Sequence, residues 1–300
     1  MMKLFRAWLR RLFTAVGRDL VSPLVFRLAK RPQGNVTPIS VHMLVSSETW
    51  HAGVLAMISF EFFTGRKWDL YMHDDGTVSD RDRSRIEKIL PGVRFVPRPE
   101  ADQRARDFLK DHPQCLEARG RHNLFLKFSD TPAFAPHDRF MVLDSDVIFF
   151  KPPAEILEWA DSGREEVWFN QDTREVYCIS RKHLEDALHV PLWSKVNSGL
   201  CLFPTKAISL DLSERMLENF STTAWHPKFF EQTLYALNGS AWNRGGMLPP
   251  TYNVSWGYLR APGSICRHYV GDFKHDLLYV EGAPLLLLAL LRSRLTGKAK

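Results

Sequence analysis

The chain has 300 residues, 45% of them hydrophobic, which is ample for a packed core in one large domain with decorated ends. Forty Lys and Arg against 34 Asp and Glu make a mild basic excess. That excess suits anionic small ligands or an anionic membrane surface and excludes the concentrated charge of a nucleic-acid binder.

Residues 1–30 read as a basic amphipathic helix with Leu4, Trp8, Leu12, Val16 and Leu20 on one side, interrupted near Pro23. Such a helix either lies on an anionic membrane face or packs on the domain. Lys3, Arg6, Arg10 and Arg11 break up any signal-peptide core. The longest apolar run, Ala283 to Leu291, falls well short of the ~20 residues a bilayer needs. The expected location is therefore cytoplasmic, with the inner face of the membrane as a peripheral site. Cys115, Cys178, Cys201 and Cys266 show no paired spacing and read as reduced thiols.

Residues 1–38 form the N-terminal helix and a linker, 39–282 the main domain and 283–300 an apolar and basic tail. Within the domain, Ile39 to Val45 reads as a buried strand ending in Ser46-Ser47-Glu48, and His51 to Thr64 as a helix stopped by Gly65. A strand over Asp69 to Met72 closes in His73-Asp74-Asp75-Gly76; a charged helix spans Asp80 to Leu90 and a short strand Val93 to Val96. This alternation predicts an α/β domain whose mostly parallel sheet is flanked by helices and binds ligands at the carboxyl ends of its strands. Ser47 and Glu48 at such an end are nucleotide candidates. Asp75 near a base or ribose competes with an ordinary Asp-Asp-Gly turn. The first strand has no Gly-rich loop, which argues against a dinucleotide enzyme or P-loop hydrolase. Further on, a helix around His122 to Phe128, a strand Arg139 to Leu143, helical Ala154 to Trp159, strands at Val167 to Phe169 and Gly199 to Phe203, and a helix Phe229 to Leu237 are expected, in a loop-rich second half.

The chemistry concentrates at Asp144-Ser145-Asp146, two carboxylates between apolar Phe140 to Leu143 and Val147 to Phe150. Unpaired buried carboxylates are costly, so such residues are paired or bind a metal. Spaced i and i+2 in extended chain, both could face one divalent, oxygen-ligated ion that holds a diphosphate. The alternative is a plain strand-ending turn.

Val142-Leu143-Asp144-Ser145-Asp146-Val147 resembles the DxD strand of GT-A-fold glycosyltransferases, family 8 in particular, the glycogenin-like and lipopolysaccharide sugar transferases. Asn197-Ser198-Gly199-Leu200, Glu231-Gln232 with Leu237-Asn238, Pro249 to Asn253, and His268 to Lys274 resemble that family's later motifs in order; the resemblance covers about residues 39–275. It implies a GT-A-like domain with an acceptor half, Mn²⁺ or Mg²⁺ on Asp144, Asp146 and His268, and a nucleotide sugar, UDP-linked, as donor. It implies that Asn197, Glu231 and Gln232 hold the sugar and the incoming hydroxyl of a glycan or lipid-linked acceptor, with retention of configuration. Lys274 would meet the diphosphate as a point charge, with Gly271 allowing close backbone approach, and Ser145 lies between the metal ligands. Lys127 stands where the family commonly has a basic residue at the phosphates, or is a solvated helix lysine. Two departures are His275-Asp276 after Lys274, where the family continues Pro-Trp, and Glu231 in place of a common Asp. Trp225, His226, Trp242 and Trp256 could stack on acceptor sugars, although aromatics more often serve the core. Rival readings are a non-catalytic, membrane-peripheral nucleotide-sugar-binding protein of the same fold and a sugar nucleotidyltransferase; the latter would carry a Gly-rich basic loop that Ser46-Ser47-Glu48 is not.

Overall fold

A computed structural model describes residues 11–220, 229–257, 260–272 and 274–296. Helix α1 covers residues 11–28 and includes a π-helical turn, Gly17–Val21. The chain then alternates β1 (Val36–Val45), α2 (Trp50–Thr64), β2 (Lys67–Asp74), α3 (Asp80–Ile89) and β3 (Arg94–Val96). Three helices follow, α4 (Arg98–Phe108), α5 (Pro113–Arg121) and α6 (Phe125–Phe134), before β4 (Arg139–Leu143) and β5 (Val147–Phe149). The second half runs α7 (Ala154–Ser162), β6 (Val167–Gln171), α8 (Arg181–Leu188), β7 (Val196–Pro204), α9 (Leu210–Asn219) and α10 (Phe230–Trp242). It ends in β8 (Gly245–Met247), β9 (Tyr252–Ser255), β10 (Cys266–Tyr269) and a helix α11 over residues 274–296, again with a π-helical turn, Leu278–Gly282.

Seven strands form one sheet in the order β3-β2-β1-β4-β7-β6-β8. The first four run parallel, β7 is antiparallel to both β4 and β6, and β8 is parallel to β6. A second sheet, β5-β10-β9, lies beyond the end of β4. This is the α/β, mostly parallel, helix-flanked architecture that the alternation of elements predicts.

Strand alternation sorts the core onto two faces. Val41, Met43, Met141, Leu143, Leu200 and Leu202 face one apolar layer; Phe140, Val142, Cys201 and Phe203 face the other. Buried on both sides, these strands read as near-continuous apolar runs, which is why they were legible. Helix α2 ends where Gly65 takes the left-handed conformation (φ 62°), and α3 starts where the Ser79 hydroxyl accepts the Asp82 amide.

Some boundaries differ from expectation. The region around His122 to Phe128 is a junction, because α5 ends at Arg121 and α6 opens at Phe125. Residues 31–38 are more than a linker: β1 begins at Val36, and the Arg31 guanidinium is buried on Glu61. Pro23 does not interrupt α1: the helix continues through it to Leu28, and the π-helical turn Gly17–Val21 ends two residues before it. Val25 of α1 and Ala283, Leu286 and Leu290 of α11 belong to the main core, so both terminal helices pack on the domain.

Candidate metal centre

Asp144-Ser145-Asp146 is the link between the two sheets. Asp144 follows β4, the Val147 amide donates to the Asp144 carbonyl in a turn, and Asp146 leads into β5. The turn reading and the ligand reading of this tripeptide thus describe one structure, since the turn swings both carboxylates to the same side. The second sheet brings the third group: β10 pairs antiparallel to β5 with His268 opposite Val147, and the Tyr269 amide donates to the Asp146 carbonyl. Asp144, Asp146 and His268 consequently present ligand atoms within 4.8 Å of one another and could hold a metal ion. Ser145 is buried between them.

Strand β7 completes the wall. Because it runs antiparallel to β4, with Leu143 opposite Leu200, its first residues lie at the carboxyl end of β4. The Asp144 amide donates to the Gly199 carbonyl at 2.7 Å. Asn197 Oδ1 accepts the Gly199 amide at 3.0 Å and its Nδ2 donates to Asp172 at 2.9 Å, which fixes the orientation of the amide. That same Oδ1 is 2.8 Å from His268 Nδ1, so Nδ1 carries the hydrogen. His268 Nε2 and Asp146 Oδ1 then face each other across 3.0 Å, a contact that requires a cation, a proton or a metal ion, between two lone pairs. Nothing else in the described residues donates a hydrogen bond to that buried oxygen. The donor set, two carboxylates and an imidazole oriented by an amide, fits a borderline or hard divalent ion.

Two lysines surround the carboxylates. Lys274, in the first turn of α11, donates to Asp146 Oδ2 at 2.6 Å and keeps 39% of its side chain exposed. Burial alone would raise the Asp146 carboxyl, but the Lys274 ammonium, with the His268 ring beside it, holds it far below the usual carboxylate range. Lys127 on α6 is buried; its ammonium lies 2.8 Å from Asp144 Oδ1 and 2.6 Å from Glu231 Oε1. Against the lowering effect of burial, those two carboxylates raise its pKa. Glu231 on α10 is raised by burial, opposed by Lys127. The cluster holds three carboxylates and two ammonium groups, one negative charge in excess before any ion is added.

Asn197, Glu231, Gln232, Lys127, Asp144, Ser145, Asp146, His268 and Lys274 are all brought together. Lys127 is no solvated helix lysine. The Gln232 side chain accepts from the Ser198 amide at 3.3 Å and donates to the Val176 carbonyl at 2.8 Å. Gly271 takes a positive φ of 89° and lies against the half-exposed Trp256 indole, over which Arg174 stacks. Ser47 and Glu48 are exposed and Asp75 is half-buried at the carboxyl ends of β1 and β2, where the Ser47 amide donates to Thr77 Oγ1, itself bonded to Asp75. A cleft of about 730 Å³ opens beside Ser47 and Glu48, lined also by Trp50, His51, Arg85 and Tyr279. Trp242 is remote, its indole N–H on the Glu165 carbonyl, and Trp225 and His226 lie outside the described residues. Sequence reasoning missed Asp172, which anchors Asn197. A single Asp in Gln171-Asp172-Thr173 carries no signal of its own.

No protein-family profile matches the sequence, and no curated protein matches it. Solved structures do. Mouse xyloside xylosyltransferase 1 in its apo form superposes with a TM-score of 0.53 at 12% identity, over 77% of this chain and 96% of that one. The bifunctional glycosyltransferase WbbM, also apo, gives 0.54 at 13%, over 88% of this chain and 53% of its own. Apo GlyE, a glycosyltransferase of Streptococcus pneumoniae, gives 0.52 at 12%, over 89% and 65%. The chain thus spans about half of WbbM and two thirds of GlyE. At these identities the likeness establishes the fold, the GT-A arrangement seen in glycosyltransferases.

Proposed function

We propose that the chain is a metal-dependent glycosyltransferase of family 8 type, which moves a hexosyl group from a nucleotide sugar, UDP-linked, to an acceptor hydroxyl with retention of configuration. The observation that carries this reading is the convergence of Asp144, Asp146 and His268 with an imidazole lone pair aimed at a buried carboxylate oxygen.

Asp144, Asp146 and His268 would hold Mn²⁺ or Mg²⁺. When bound, the ion would supply charge stabilisation for a departing diphosphate. Everything else falls to the chain. Asn197 keeps the His268 hydrogen on Nδ1 and so keeps Nε2 available. Lys274 is the one ammonium of the cluster with appreciable exposure, placed to pair with phosphate oxygens while anchored to Asp146. Lys127 pairs with both Asp144 and Glu231 from beneath and fixes where Asp144 points. Glu231 and Gln232 would position the sugar and the acceptor hydroxyl. Ser47, Glu48 and the neighbouring cleft suit the nucleoside, because ligands of such sheets sit beyond the strand ends. Synthesis of cell-surface or lipid-linked glycans is the setting that this activity suits.

Thermal denaturation with UDP, GDP or CDP, each with and without Mn²⁺, tests the donor site. A stabilisation that needs one nucleotide, the ion and both Asp144 and Asp146 supports it; no shift with any nucleotide overturns it. Turnover of the matching sugar donor, abolished by Asp146→Asn, separates an enzyme from a binding protein of the same fold. Product of inverted configuration alone would sink the retaining assignment.

A further inference from the structure

Among the described residues, most exposed large hydrophobic side chains are gathered on the two terminal helices. Leu12, Phe13, Val16, Leu20 and Leu24 are exposed on α1, with Leu20 at 63%. Leu288, Leu291 and Leu295 are exposed on α11. Away from these helices and the π turn of α11, only Val36, Leu116, Leu124 and Trp256 are comparable, and they are scattered through the sequence.

The two helices lie side by side and run parallel. Gly17 abuts the Tyr279 carbonyl so closely that a Cβ there would sit 2.1 Å from the oxygen, Thr14 donates to Asp276 at 2.8 Å, and eleven residues beyond Gly17 the Leu28 carbonyl accepts from Arg294. Each turns its inner residues, Val25 on one and Leu286 and Leu290 on the other, into the shared core. The outer sides of the pair therefore form one apolar face. Over residues 11–28 and 274–296 the helix pair carries six basic residues, Arg11, Arg18, Arg27, Lys274, Arg292 and Arg294, against three acidic ones, Asp19, Asp276 and Glu281, a net charge of +3. No helix among the described residues is long and apolar enough to cross a membrane.

We propose that this face docks on an anionic lipid bilayer, with both helices lying in the interface plane. An apolar stripe flanked by Arg and Lys matches a bilayer twice: leucines and phenylalanine enter the acyl boundary while the basic side chains meet anionic headgroups. A second copy of this chain is the poorer occupant, because a two-fold contact would bring together two helix pairs that each carry a net charge of +3. The inference stands independently of the donor-site reading.

Co-sedimentation of the full chain tests it, with vesicles of phosphatidylcholine alone and of phosphatidylcholine mixed with phosphatidylglycerol. Binding is expected to the mixed vesicles, to weaken as salt is raised, and to fall about tenfold or more in Leu20→Glu/Leu24→Glu. An unchanged melting temperature in that variant shows that the fold is intact. Arg27→Glu/Arg292→Glu provides a second route, weakening binding without touching the apolar stripe. Absence of binding to either vesicle, or equal binding to both, overturns the proposal. A dimer in light scattering that Leu20→Glu/Leu24→Glu splits would instead assign the face to a second copy.

Discussion

Asn197 Oδ1 accepts both the Gly199 amide and the Nδ1–H of His268, 71 residues away, and thereby decides which imidazole nitrogen faces Asp144 and Asp146. Partners that fix a ligand's tautomer typically change metal affinity by about 10–100-fold when removed. Asn197→Ala is expected to weaken Mn²⁺ binding by that factor in a calorimetric titration. Asn197→Asp, which keeps an acceptor toward His268 but sets a second carboxylate against Asp172, should be intermediate. Equal Mn²⁺ affinity in all three proteins would remove Asn197 from the site.

Gly199 has a different role from its neighbours. A Cβ at this position would lie 2.2 Å from His268 Cε1 and 2.4 Å from Nδ1, and it would meet a ring held on both sides rather than a mobile chain end. Gly199→Ala should displace His268 and abolish the Mn²⁺-dependent rise in melting temperature. Because β7 is a core strand, the apo protein should also lose stability, by about 1–3 kcal/mol as overpacking does. An unaltered ion-dependent shift would show that His268 is not a ligand.

How much of this was legible follows from sequence separation. Strand β4 and its two carboxylates stand out because eight apolar neighbours surround them locally. Helix α2 and β2 were readable because burial patterns and stop signals such as Gly65 act within a few residues. The Asn197 and His268 segments were noticed only through resemblance, and their mutual contact was not visible. It depends on an antiparallel β7 and on a second sheet whose strands β5, β9 and β10 are three or four residues long, too short to show a period. Lys127 shows the same limit: its burial is set by Asp144 and Glu231, which only the packing of α6 against α10 and β4 brings within 2.8 Å.

The residues between α1 and β1 carry a test of stability unrelated to the site. Arg31 donates to both oxygens of Glu61, at 2.8 and 2.6 Å, and Glu61 Oε1 also accepts the Trp68 amide, with both charged side chains nearly excluded from solvent. Removing one partner of a buried pair leaves the other charge uncompensated, at a cost of about 3–5 kcal/mol. Glu61→Ala should lose that much in urea denaturation and strand the Trp68 N–H as well. Glu61→Gln should lose less, since it retains an acceptor. A loss below about 1 kcal/mol for Glu61→Ala would place the pair among weak surface bridges.

On β1 and β2, His42 Nδ1 and His73 Nε2 share one hydrogen across 2.8 Å, with the rings stacked beside Tyr71 and the outer nitrogens of both buried without partners among the described residues. Burial first, then the adjacent His73, pushes His42 well below its ordinary value. Burial also lowers His73, to about 4, with Asp130 and Glu100 opposing and Arg94 and Arg119 assisting. Because the folded state holds these imidazoles neutral, the unfolded chain takes up protons first as pH falls. Stability is therefore complete above the unfolded value of 6.5 and declines from there toward pH 4, by up to about 3 kcal/mol for His73 alone. Urea midpoints at pH 7.5, 6, 5 and ~4.5 should fall along that course. His73→Gln, which cannot titrate, should lower stability at pH 7.5 yet flatten the decline below pH 6.5. A decline of unchanged steepness in that variant would assign the acid sensitivity to groups other than His73.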